Sequence, residues 1–128
     1  MAGFLFDENL PAQVAAGLGT CGLETNAVGL DLALPLGSSD AANVAWCLAN
    51  RAALVTIDRG MKNREIRDLL AQYTNLSFVL VDRRIAPIEL LYAFVRRHKA
   101  MENEVERCFE RGGCYRVRLK REGGVERI

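Results

Sequence analysis

A chain of 128 residues, half of them hydrophobic and 26% charged, has the length and apolar content of one ordinary globular domain with its own core, so a single domain over residues 1–128 is expected. No stretch approaches the ~18 consecutive apolar residues of a membrane span, and the first residues lack the basic-then-apolar layout of a signal peptide, which places the chain in the cytoplasm. The formal net charge of +1 hides an asymmetry that hints at an anionic partner: up to Asp58 one basic residue, Arg51, stands against six acids, and beyond it sixteen Lys and Arg face ten Asp and Glu.

The first predicted element is a strand over Gly3–Phe6, which runs directly into Asp7 and Glu8 in the stretch FLFDENLP. Large apolar residues favour burial and carboxylates do not, so the junction reads as a buried strand whose end emerges at the surface. A helix over Pro11–Leu18 follows, with Pro11 suited to its first turn. A weaker extended piece at Glu24–Val28 leads into a loop, Gly29–Ser39, that holds Pro35, Gly37 and two serines. Asp40–Asn50 has the composition of a good helix, and Ala53–Ile57 is a short apolar run with β-branched residues. Lys62–Tyr73 has helical spacing at Ile66, Leu69 and Leu70, and Ser77–Val81 is another apolar run.

From Pro87 a long amphipathic helix is predicted, because Leu91, Phe94, Val95, His98, Met101, Val105, Cys108 and Phe109 recur at three- and four-residue steps until Gly112-Gly113 stops it. Its surface suits a homodimer contact. In Cys114–Arg121, Tyr115, Val117 and Leu119 alternate with Arg116, Arg118 and Lys120, the period of a strand with one apolar and one basic face. That basic face either tracks a phosphate backbone or protects a sheet edge from aggregation. Arg96-Arg97-His98-Lys99 reads as a solvated helix face, with His98 turned into the packing rather than into a site. Cys21, Cys47, Cys108 and Cys114 form no CxxC pair and suggest neither zinc nor a disulfide framework.

Strands and helices in strict alternation predict an α/β domain, a three-layer α/β/α sandwich around a mostly parallel sheet. In such a sheet every strand ends on the edge where the next helix begins, and ligands bind there. Asp7 and Glu8 follow the first strand, Asp58 follows Ala53–Ile57, and Asp40 opens the preceding helix, so all four acids belong to one edge. Gathered carboxylates repel unless a cation lies between them, and Mg²⁺ or Mn²⁺ suits hard oxygen ligands. Singly, the acids have plainer uses: after two serines Asp40 is placed to cap a helix, and Asp58-Arg59-Gly60 suits a turn.

FLFDENLP together with GSSDAANVAWCLANRAALVTIDRGM resembles the PIN-like family, in particular its short bacterial and archaeal branch. The matching features are the acid ending the first strand (Asp7), the acid opening an Ala-rich helix (Asp40), and the apolar strand ending in Thr-x-Asp (Thr56-Ile57-Asp58). The resemblance covers roughly residues 3 to 85. It implies a Mg²⁺- or Mn²⁺-dependent ribonuclease with Asp7, Asp40 and Asp58 on the metal and Glu8 as a further catalytic candidate, and such domains often serve as the toxin partnered by an antitoxin protein. Gly60 and Met61 stand where many relatives carry another acid or Asn and then Phe. Two alternatives accompany this reading: a catalytically silent PIN-like module that binds RNA or protein, and a receiver-like signalling domain phosphorylated on Asp58.

Overall fold

The apolar runs become strands and the segments between them helices. The computed structural model describes residues 3–29, 34–58 and 64–128. Its elements in chain order are β1 (Gly3–Phe6), α1 (Ala12–Thr20), β2 (Thr25–Ala27), α2 (Asp40–Ala49), β3 (Ala52–Asp58), α3 (Arg64–Gln72), β4 (Phe78–Asp82), α4 (Pro87–Arg111), β5 (Arg116–Leu119) and β6 (Val125–Arg127). Lys62, where the third helix is predicted to open, lies outside the described residues, as do Gly60, Met61 and the side chains of Ile66, Leu69 and Leu70. No described helix is long and apolar enough to cross a membrane.

The strands form one sheet in the order β2-β1-β3-β4-β5-β6, parallel throughout except for β6. The last strand is absent from the expectation drawn from the sequence, because Val125-Glu126-Arg127 is too short and too polar to register as one. It changes the meaning of β5, which pairs with β4 on one side and β6 on the other and is therefore no exposed edge.

Alternate residues of each strand serve two cores, which makes the molecule three-layered. Phe4, Phe6, Ala53, Val55, Val79, Val81, Val117 and Leu119 point to one side, where Val14 and Leu18 of α1 and Leu90, Phe94, Met101 and Val105 of α4 cover them. Leu5, Leu54 and Phe78 point to the other, against Val44 and Cys47 of α2 and Leu76. Phe94 lies at the centre of the first core, its ring 5.3 Å from that of Phe4 and 5.1 Å from that of Phe6. The register of the long helix differs from the sequence reading: Leu90 and Ala93 are buried, whereas Val95 is 40% exposed. His98 is half-buried, and its Nδ1 lies 2.9 Å from the Val95 carbonyl oxygen.

Two glycines have evident duties. Gly112 ends α4 at a φ of 88°, left-handed backbone that residues with a Cβ rarely adopt. At Gly3 a Cβ would stand 2.8 Å from the Glu24 carbonyl oxygen, so β1 and the entry to β2 approach closely only because it is absent.

The connections carry an asymmetry of hand. From β1 to β2 the chain steps one way across the sheet with α1 on the first face; from β2 to β3 it steps back with α2 on the second face, and so keeps the same hand. From β4 to β5 it also steps away from β2, yet α4 lies on the first face. That crossover has the opposite hand to the other two, an arrangement that is rare among parallel βαβ units. Its effect is to keep α4 off the second face of β5, where Arg116, Arg118 and Lys120 remain half-buried.

Candidate functional site at the carboxyl edge of the sheet

The strand order reverses direction between β1 and β3, since the chain leaves β1 for β2 on one side and returns to β3 on the other. A crevice at such a reversal, outside the carboxyl ends of the strands, is the usual binding place of open α/β sheets. Asp7 and Thr56 stand at its two sides. The Asp7 amide donates to the Val55 carbonyl oxygen at 3.0 Å, extending the β1–β3 ladder one step past β1, and the Thr56 hydroxyl donates to Asp7 Oδ2. Asp7 Oδ1 accepts the Asn9 amide at 3.0 Å, a local turn that sends the chain away towards α1.

Strand parity places further groups on the same side. Leu5, Leu54 and Phe78 face the second core, so Asp7, Thr56, Asp58, Leu80, Asp82, Arg118 and Lys120 share that face. Asp58 is the last residue of β3 rather than the first after it, and Arg118 Nε donates to its Oδ2. Asp82 lies opposite Asp58 in register and is gripped by Arg84: the backbone amide and Nε donate to Oδ1 at 2.8 and 3.0 Å, and Nη2 donates to Oδ2 at 2.8 Å. The Arg84 side-chain hydrogen bonds, then its amide, hold the Asp82 carboxyl down at about 2.

Asp40 is the first residue of α2 and is exposed. The capping duty that would explain it falls instead to Ser39, whose Oγ accepts the Ala42 amide at 3.1 Å. Glu8, also exposed, reaches across to the loop before α2, its Oε2 accepting the Gly37 amide at 3.0 Å. Three residues of chain span at most about 11 Å, so this bond keeps Asp40 in the neighbourhood of the β1 end. One turn along α2, on the same side of the helix as Asp40, Asn43 is buried and its Oδ1 has no hydrogen-bond partner among the described residues.

The edge thus carries the predicted acids, with Asp7 and Asp58 on adjacent strands and Asp40 on the helix above. Among the described residues, however, no three His, Cys, Asp or Glu side chains are grouped so as to hold an ion. The donor set suits a hard divalent cation in its chemistry, since carboxylate oxygens are the ligands such ions take. At Asp58 the Arg118 guanidinium holds one of the oxygens that such an ion would use. The basic face of β5 is correspondingly committed: Arg116 donates to the carbonyls of Tyr73 and Leu76 at 2.7 and 3.3 Å, and Lys120 pairs with Glu126 at 3.1 Å.

Thr56 and Arg118 are the participants that sequence reading did not place in the site. The first could be found from the Thr-x-Asp spacing, because residues two apart on a strand share a face. The second depends on β5 being two strands away from β3, which only the topology reveals. No family model matches the chain, and neither curated proteins nor solved structures give a match.

Proposed function

We propose that this chain is a PIN-like domain that hydrolyses RNA phosphodiester bonds with the help of Mg²⁺ or Mn²⁺ at the carboxyl edge of its sheet. The observation that supports this most is the meeting of Asp7 and Thr56 across the point of strand reversal, with Asp58 one step further along the same face. In this reading Asp7, Asp40 and Asp58 hold the metal, which when bound supplies an activated water and stabilises charge on the phosphoryl group. Thr56 fixes the orientation of the Asp7 carboxylate. Glu8 acts at a remove from the chemistry, tying the loop that carries Asp40 to the end of β1.

Cleavage of a mixed RNA substrate in Mn²⁺, abolished by chelator and reduced by at least about a hundredfold in Asp7→Asn, is the expected result; RNA left intact by the wild-type protein at every Mn²⁺ concentration removes the proposal.

The Arg118–Asp58 pair favours a second reading, a PIN-like module that binds RNA or a protein such as an antitoxin without cutting. It predicts RNA retention unaffected by chelator. A receiver-like role shares the strand order, but β4 ends in Asp82 under Arg84 where that role needs a hydroxyl; phosphate transfer from acetyl phosphate to Asp58 would be its signature.

A further inference from the structure

The side chain that meets Asp58 comes from far away in the fold. Strands lie about 4.8 Å apart, so a group on β5 must reach roughly 10 Å across β4 to touch one on β3. The register Thr56–Leu80–Arg118 sets the Arg118 stem across Leu80, which is 1% exposed, before its Nε meets the carboxylate. Both partners are largely withdrawn from water, with 27% of the Arg118 side chain and 12% of the Asp58 side chain exposed. Arg116 and Lys120, the neighbouring bases of the same face, are held elsewhere by backbone carbonyls and by Glu126. Arg118 is the member of the set that faces the crevice.

A guanidinium at this position neutralises the same oxygen that a divalent cation would use, so the two compete. We propose that Arg118 is a latch on Asp58: it pairs with the carboxylate in the resting protein and leaves it for a phosphodiester oxygen of bound RNA, which withdraws a charge that competes with the metal there. The inference rests on the metal-dependent reading above. Arg118 exchanges one anionic oxygen for another, and its planar fork suits phosphate as well as carboxylate. Asp58 exchanges a single positive charge for a double one. RNA and metal therefore strengthen each other's binding, by the same factor in both directions.

Calorimetric titration with Mn²⁺ alone, then with Mn²⁺ in the presence of a 2′-O-methyl oligoribonucleotide, tests this without any turnover. Arg118→Gln is expected to bind Mn²⁺ about tenfold more tightly than wild type in the absence of RNA, within the usual range of coupling between sites. Adding the oligonucleotide should tighten Mn²⁺ binding by a similar factor in wild type and leave R118Q unchanged. The gain in R118Q should vanish when Asp58→Asn is added. Arg118→Lys, which keeps the charge but not the fork, falls between the two and carries the comparison if R118Q does not fold. Equal Mn²⁺ affinity in wild type and both variants overturns the latch while leaving the metal reading standing. Failure of all of them to take up Mn²⁺ overturns both.

Discussion

Cys47 is a small hydrophobe by environment rather than a reactive thiol. It is fully buried between α2 and the sheet, and desolvation pushes its thiol up to about 12. At pH 8 the thiolate is then about one part in ten thousand, whereas Cys21 is exposed. An aromatic disulfide reagent should label Cys21 within its mixing time and Cys47 only at the rate of global unfolding; rapid labelling of Cys47 in the folded protein contradicts this packing. Asp82 offers a pH prediction of the opposite kind. Its carboxyl is depressed from 3.8 to about 2, so the Asp82–Arg84 pair stabilises the fold fully above pH 4 and loses that contribution as pH falls through about 2. The effect is small because Arg84 lies open to water and salt. Acid unfolding of Asp82→Asn compared with wild type should diverge above pH 4 and converge near pH 2, and parallel curves would show that the pair contributes nothing.

Among the elements, α4 contributes most to the first core. Truncating Phe94 to Ala removes a ring packed against two others and is expected to cost about 3–5 kcal/mol, read as a lower urea midpoint at constant slope. Substituting Tyr92, 63% exposed on the same helix, should leave the midpoint nearly unchanged. Much of this level was legible in advance. β1 falls on the predicted residues, α2 and α4 begin where Asp40 and Pro87 announce them, and the sheet is mostly parallel as alternation requires. The misses have physical causes. Val95 entered the predicted stripe because three- and four-residue spacing admits two neighbouring faces, and the wider one, through Leu90 and Ala93, is what meets β1. Of the site, the three acids were visible because each ends a strand or begins a helix. The partners of Asp7 and Asp58 were not, since a hydroxyl and a guanidinium become specific only when register and strand order are known.

At the scale of the whole molecule, strand order and crossover hand act together. The reversal between β1 and β3 creates the crevice, and the unusual placement of α4 leaves the second face of β5 uncovered by that helix, so that Arg118 reaches Asp58 across it. With the common hand, a helix over that face would select apolar residues at 116, 118 and 120. The alternation of Arg-Val-Arg-Leu-Lys is thus the trace in sequence of where α4 does not lie. The tie between Glu8 and Gly37 has an equivalent role, joining the end of the first strand to the start of a helix 32 residues later than Glu8 through a single bond.

Because a ribosome delivers the chain in one direction, Asp7, Asp40 and Asp58 emerge long before Arg118. Asp58 is therefore made with fifty-nine residues still to come before its guanidinium partner Arg118, and that pair closes only once the last parallel strand, β5, has been added to the sheet.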